Sequence, residues 1–397
     1  MTWFDLPLAG WLISFGIGLA AILHAVLRQE DERKAEPLYR EDAPPMEIAV
    51  AARADTWDLG PALDRISRFT LTSGNRADIF CNGDEAMPAM LGAIRQAEKS
   101  ISLATYIFDG TGIGAEFVVE LESAMKRGVE VRVMVDGAGT RYSWPPVTRA
   151  LKAAGIPFRR FMPSHFLVRL ITLNMRNHRK LLVVDGRIAF TGGMNLREGN
   201  MLARNPAHPV RDTHFRFEGP VAGQVQRVFA EDWAFCCGET LAGERWFPAL
   251  ESKGAMDAIG IVDGPDEDIE VMPVALFAAL SSARHSVRIV TPYFLPTDML
   301  RAALRLCAVR DVAVSIITPA VNNIPLVHWA AQSLYPDLLA AGCTIHESPA
   351  PFDHSKLVII DDEWSFVGST NWDPRSLRLN FEFNIAARDT DFARRLL

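Results

Sequence analysis

With 397 residues, the chain is longer than one ordinary domain and has room for two or three. Hydrophobic residues make up 49% and charged residues 22%, which excludes wholesale disorder. Its 41 basic and 48 acidic residues leave a net charge of -7, which argues against nucleic-acid binding by bulk charge but allows a local basic pocket. The five cysteines (Cys81, Cys236, Cys237, Cys307, Cys343) show no CxxC spacing, so neither a zinc site nor a disulfide scaffold is expected, and a reducing compartment follows.

Leu6 to Leu27 is apolar apart from His24. As a helix it reaches about 33 Å, enough for a hydrocarbon core of about 30 Å. No Lys or Arg precedes it and no small-residue cleavage pattern follows, so it reads as an anchor rather than a signal peptide. Arg28, Arg33, Lys34 and Arg40 come next, placing the remainder in the cytoplasm. Residues 29–66, with Pro37, Pro44 and Pro45, read as a tether. The globular part then repeats itself. KSISLATYIF (99–108) is matched by HSVRIVTPYF (285–294), RGVEVRVMVDG (127–137) by RDVAVSIITPA (310–320), and AAG at 153–155 by AAG at 340–342. Strands alternating with helices indicate two α/β halves with largely parallel sheets. Their expected extents are 67–240 and 269–397, with the Gly-, Pro- and acid-containing stretch 241–268 as the connection.

The repeat is sharpest in NHRKLLVVDGRIAFTGGMN (177–195) and DHSKLVIIDDEWSFVGSTN (353–371). Both read His-x-Lys, four residues, Asp, six residues, Gly-x-x-Asn. The six motif residues are His178, Lys180, Asp185, His354, Lys356 and Asp361. Residues two apart on a strand share a face, so each His and Lys is expected to project together. Imidazole can attack phosphorus, and imidazolium can protonate a leaving alkoxide. Lys180, Lys356, Asn195 and Asn371 are expected to hold phosphate oxygens where negative charge develops. One copy supplies half of such a site, and two copies brought together supply a nucleophile and an acid. A nucleophilic imidazole also needs its second nitrogen fixed, for which Glu218 in HFRFEGP and Glu382 in NFEFNIA are the candidates. Asp185 and Asp361 lie beside turns, where a structural hydrogen-bonding role is the better reading. His214 is a candidate for the site's border, whereas His208, His285 and His346 read as surface or strand residues. No cluster has metal-ligand spacing and two lysines would repel a cation, so no metal or other cofactor is expected.

The duplicated motif resembles that of the phospholipase D superfamily. Within it, YIFDGTGIG (106–114), RDTHFRFEGP (211–220), TPYFLP (291–296) and NWDPRSLRLNFEFN (371–384) resemble the bacterial cardiolipin synthases. The resemblance runs from about Phe69 to Leu397. It implies two similar phospholipase D-like halves related by a pseudo-two-fold axis, each a mixed sheet flanked by helices, behind an N-terminal transmembrane helix. It also implies transphosphatidylation in the bacterial cell membrane: His178 attacks one phosphatidylglycerol, His354 protonates departing glycerol, and a second phosphatidylglycerol takes the phosphatidyl group to give cardiolipin. The alternative is a phosphodiesterase using water. Two apolar stretches precede the motifs. Residues 164–177, with Arg169 and Arg176, suit an interfacial segment admitting lipid, whereas 324–342 fits a core helix at least as well.

Overall fold

The computed structural model describes residues 58–161, 175–265 and 268–397. The expected anchor Leu6–Leu27, the tether up to residue 57 and most of the interfacial stretch 164–177 lie outside them. Among the described residues no helix is long and apolar enough to cross a membrane. The described residues belong to one compact unit, which holds both motifs.

That unit opens with α1 (Leu59–Ile66), β1 (Thr72–Cys81) and α2 (Asn82–Gln96). An alternating run follows: β2 (Ser100–Thr105), α3 (Ile113–Lys126), β3 (Glu130–Asp136), α4 (Val147–Ala153) and β4 (Phe158–Phe161). The first motif spans the short β5 (Arg176–Asn177), β6 (Leu181–Val184) and β7 (Ile188–Gly192). Then come β8 (Val210–Arg211), β9 (Thr213–Glu218) and α5 (Val221–Cys237). The second series is β10 (Met256–Asp263), α6 (Val271–Ser282), β11 (Ser286–Val290), α7 (Asp298–Val309) and β12 (Ala313–Pro319). It continues with α8 (Pro325–Gln332), α9 (Tyr335–Ala340) and β13 (Thr344–Ser348). The second motif spans β14 (Phe352–Asp353), β15 (Leu357–Ile360) and β16 (Trp364–Gly368), and β17 (Asn380–Arg388) and α10 (Thr390–Arg395) close the chain.

Fifteen strands form one mixed sheet. From the centre outward the first series runs β1-β9-β7-β6-β2-β3-β4 and the second β10-β17-β16-β15-β11-β12-β13, so the two follow the same order. Antiparallel pairing of β1 with β10 joins them, Asn75 opposite Met256. Within each series three strands are parallel (β2, β3, β4 and β11, β12, β13), connected through helices. Met256–Asp263 lay inside the stretch expected to be a connection, 241–268, yet it is a central strand. The glycines and proline that suggested a connection flank it (Gly254, Gly264, Pro265), while Ala258, Ile259, Ile261 and Val262 are buried.

The continuous apolar runs of the motifs arise because their strands are covered on both faces. Leu181 and Val183 face a central core with α5, whereas Leu182 and Val184 face an outer core with α2 and α3. In the second series Leu357 joins the central core, and Val358 and Ile360 join an outer core with α6 and α7. The central core takes Phe215 and Phe217 from one series and Phe383 and Ile385 from the other, so it holds both motif strands to a common layer.

Candidate active site

His178 and Lys180 sit in the extended link between β5 and β6, and His354 and Lys356 in the matching link between β14 and β15. Two short parallel pairings across the series decide what each histidine meets. Asn177 lies opposite Phe381, and Asp353 opposite Arg211. One residue further along, the His178 amide donates to the Phe381 carbonyl at 2.9 Å, and the His354 amide to the Arg211 carbonyl at 2.8 Å. The register therefore sets each imidazole beside the residue following that carbonyl. His178 Nδ1 is 3.0 Å from Glu382 Oε2, and His354 Nδ1 is 2.8 Å from Asp212 Oδ2. Each histidine takes its carboxylate from the other series.

Glu382 thus stands where it was expected, but Glu218 does not. Glu218 ends β9 and pairs with Arg216 at 2.8 Å, and the carboxylate facing the second histidine is Asp212. Gly192 lies opposite His214 on β9, and Gly368 opposite Asn384 on β17. Asp212 and Glu382, each two residues earlier, are therefore counterparts. Glu382 is further held by the hydroxyl of Ser369, which donates to Oε2, and by Asn380 Nδ2 at 3.0 Å from Oε1. Asp212 accepts the Thr213 amide at 2.8 Å.

Lys180 Nζ donates to the His178 carbonyl, and Lys356 Nζ to the His354 carbonyl, while Lys356 Nζ also lies 2.9 Å from His354 Nδ1. His178, Lys180 and Lys356 are buried and His354 is largely covered, so burial governs their protonation. Burial, with Lys356 beside it, pushes His354 down to about 4 despite Asp212. His178 is also lowered, by burial first, with Glu382 opposing. Burial, with Lys356 nearby, brings Lys180 down to about 7, and burial brings Lys356 to about 8, with Glu382 and Asp212 opposing both. Burial works against ionisation of Glu382, but His178, Lys180 and Ser369 outweigh it and hold its carboxyl below the usual range. Without a bound anion, the pocket carries less positive charge than its residue types suggest.

Each imidazole also meets a tyrosine the motif does not contain. The Tyr106 ring lies 5.2 Å from that of His178 and 5.7 Å from Lys180 Nζ, and the Tyr293 ring lies 6.3 Å from His354. Tyr106 directly follows β2 and Tyr293 lies three residues after β11, one position out of step in the sequence repeat, where Tyr106 aligns with Pro292 and Tyr293 with Ile107.

Asp185 and Asp361 play the structural part expected from their turns. Asp185 accepts the amides of Glu98, Lys99 and Ser100, and Asp361 those of Arg284, His285 and Ser286, at 2.7–3.2 Å. Both have positive φ, 53° and 54°, and anchor the strand next to the motif rather than the phosphate. Asn195 Oδ1 accepts the Ile107 amide at 3.0 Å, and Asn371 Nδ2 lies 3.1 Å from the Ser376 hydroxyl while its Oδ1 is buried without a partner. Both amides are thus held close behind the tyrosine and motif loops. His214 is buried next to Asp212 and Lys180, which place it at the site's border, and burial lowers it to about 4. His208, His285 and His346 are exposed. Arg179, between His178 and Lys180, is buried in an ion pair with Asp232 and donates to the Glu382 carbonyl at 3.0 Å.

The family described as "Cardiolipin synthase, PLD-like domain" matches residues 90–233 and 276–397, two segments that each contain one His-x-Lys motif. The chain belongs to this family. Cardiolipin synthase 2 of Bacillus cereus is 33% identical over 339 residues, covering 84% of this chain and 65% of that protein. Cardiolipin synthase 1 of the same organism is 35% identical over 332 residues, covering 81% and 63%. The chain thus spans a little under two thirds of the length of these relatives. A solved phosphatidylserine synthase of Haemophilus influenzae has the same fold at 14% identity, with a TM-score of 0.65 over 79% of this chain and 82% of that one.

Proposed function

We propose that this chain is a membrane-bound phosphatidyltransferase that makes cardiolipin and glycerol from two phosphatidylglycerol molecules. The observation that carries this is the pair of imidazoles, each with Nδ1 on a carboxylate and Nε2 left for chemistry, with a lysine beside each. A Nδ1–H bonded to carboxylate leaves the Nε2 lone pair available. His178 Nε2 attacks phosphorus, the bond to the glycerol oxygen breaks, and that oxygen takes a proton from His354 Nε2. Burial holds this imidazole at about 4 without a bound anion, and the negative charge of the bound phosphodiester keeps it protonated. The product is a phosphatidyl-histidine and free glycerol. His354, now neutral, accepts the hydroxyl proton of a second phosphatidylglycerol. The resulting alkoxide attacks phosphorus, the N–P bond breaks, and cardiolipin leaves with His178 restored. Lys180, Lys356, Asn195 and Asn371 hold the non-bridging oxygens, where charge grows at each displacement. The nucleophile is assigned to the first histidine by family resemblance.

Transfer to an alcohol at the expense of water requires a site closed to bulk solvent, and the burial of His178 and both lysines, with His354 largely covered, supports it. We divide the catalytic unit into two phospholipase D-like halves about a pseudo-two-fold axis, the second beginning with β10. Leu6–Leu27 is proposed as a single span in a bacterial cell membrane, with the catalytic unit on the cytoplasmic side. The test is to incubate the full chain in membranes with labelled phosphatidylglycerol and separate the lipid products. Cardiolipin and glycerol are expected in equal amounts. Phosphatidic acid as the only phosphatidyl product would mean water is the acceptor and would refute the transferase.

A further inference from the structure

The catalytic unit exposes two apolar segments, at matching places in its two series. In the first series residues 137–146 connect β3 to α4, and in the second residues 320–324 connect β12 to α8. The first connection carries Tyr142 and Trp144, which are 55% and 83% exposed. The second, with the helix it opens, carries Val321, Leu326 and Trp329, each 60–65% exposed. The stretch 324–342, read as a core helix or an interfacial one, is in fact two short helices that bury Ala331 and Leu338 and leave Leu326 and Trp329 uncovered.

Both segments adjoin the site. Tyr142 lies 6.1 Å from Tyr106, the ring packed on His178. Asn323 accepts the hydroxyl of Tyr293, the ring packed beside His354, at 2.8 Å. The exposed residues therefore flank the two imidazoles, one segment on each side. Their charge is also uneven against an acidic chain. From Gly137 to Phe161 there are five basic residues (Arg141, Arg149, Lys152, Arg159, Arg160) and no acid, and the Arg149 guanidinium lies 5.1 Å from the Trp144 ring. Large indole rings at a polar boundary backed by arginine and lysine suit a surface that is apolar within and anionic outside.

We propose that these two segments are the face that the catalytic unit lays on an anionic phospholipid bilayer, with Trp144 and Trp329 entering the headgroup region on either side of the site. This rests on the phospholipid reading of the site. Phosphodiesters would then reach the imidazoles from the lipid plane, and each tyrosine would link a bilayer-contacting segment to a histidine. A protein partner would need no basic bias on one side alone, nor apolar groups at both edges of the same opening.

Two readouts on the full chain reconstituted in phosphatidylglycerol vesicles test this. In the first, brominated phosphatidylglycerol quenches tryptophan emission, and the quenched part should fall in W144F and again in W329F, without any need for catalysis. In the second, the ratio of the rate on vesicle lipid to the rate on monomeric short-chain phosphatidylglycerol should fall in the W144S/W329S double variant. R149Q and K152Q should each lower that ratio roughly fivefold at low salt and much less at high salt. Unchanged quenching in both single variants would overturn the bilayer face, including the case where another protein covers it. A wild-type chain inactive toward both donors would instead overturn the phosphatidyltransferase reading, with quenching still deciding the face.

Discussion

Replacing Asp212 by asparagine is the sharpest test of the crossed arrangement. Asn keeps the shape and still offers an oxygen to the Thr213 amide, now 2.8 Å from Asp212 Oδ1. At His354, however, an amide nitrogen becomes available to donate to Nδ1, and Lys356 Nζ is already 2.9 Å from that atom. Both donors would place the imidazole proton on Nε2 and remove the lone pair needed to deprotonate the acceptor alcohol. The imidazolium also loses its counter-charge. Two charges about 4 Å apart at an effective dielectric near 20 interact by about 4 kcal/mol, and a charged hydrogen bond contributes roughly 1.5–3 kcal/mol. A loss of about 2–4 kcal/mol in transition-state stabilisation is roughly 30- to 1000-fold in kcat/KM. Glu218→Gln, which only breaks the half-exposed pair with Arg216, should stay within about twofold. Steady-state transfer from phosphatidylglycerol, with the melting temperature as a check on folding, separates the two. A D212N enzyme within about threefold of wild type, or an E218Q enzyme as impaired as D212N, would refute the assignment.

Inorganic phosphate or tungstate should bind with proton uptake near pH 8, because an anion restores the charge that burial removes from Lys180 and Lys356, held at about 7 and about 8; calorimetry in buffers of different ionisation enthalpy measures it. Folding should weaken as pH falls from 6.5 to about 4, since His354 and His214 are held at about 4 and an unfolded chain takes up protons first; the urea midpoint against pH shows the sign, and a midpoint rising over that window would contradict it. Asp185→Ala should orphan three amides and cost about 2–5 kcal/mol by denaturant unfolding, while the folded fraction keeps near-normal kcat; a large kcat loss without destabilisation would return Asp185 to the chemistry. Asp232→Ala should strand the buried Arg179 and destabilise by about 3–5 kcal/mol, which the same unfolding measurement checks. With a nitrophenyl phosphodiester, His354→Ala should still form an adduct on His178 and His178→Ala should form none; mass spectrometry after a neutral quench locates it, and an adduct on His354 in the unaltered chain would reverse the two roles.

Much of this architecture is legible in the sequence because the motif strands are buried on both faces, which forces the continuous LLVV and LVII runs that mark the repeat. The turn aspartates are legible for a local reason, since a carboxylate beside a turn meets free amides. Glu382 is also found, because NFEFNIA alternates. Asp212 is missed because the connections differ in length: seventeen positions separate it from Asn195, against eleven between Asn371 and Glu382. Matching by spacing therefore falls short of it, at Pro206, and Glu218, an acid on an alternating strand, is taken instead. The usable signal was the pairing of each motif glycine with the following strand, Gly192 with His214 and Gly368 with Asn384, which aligns RDTHF with FEFNI. The strand at 256–263 was hidden for a similar reason, since its turn-forming neighbours are more conspicuous than its apolar residues.

The exchange of carboxylates between series was beyond local reading altogether, and it bears on how the site is maintained. Either series alone would present a histidine with neither its carboxylate nor the parallel bridge that sets its backbone. Burying that imidazole and its lysine without compensating charge is unfavourable, so the motif residues are best accommodated when both series are packed together. Arg179 reinforces this, because it reaches from the first motif to Asp232 on α5 and to the Glu382 carbonyl on β17. The central core brings apolar residues of both series to the same layer, and the crossed histidine–carboxylate pairs then fix the register within it. Hydrophobic burial thus supplies the strength of the joint, and the polar crossings supply its alignment. A shift of one residue in either parallel bridge would leave the core partly intact but would separate the imidazole that bridge carries from its carboxylate.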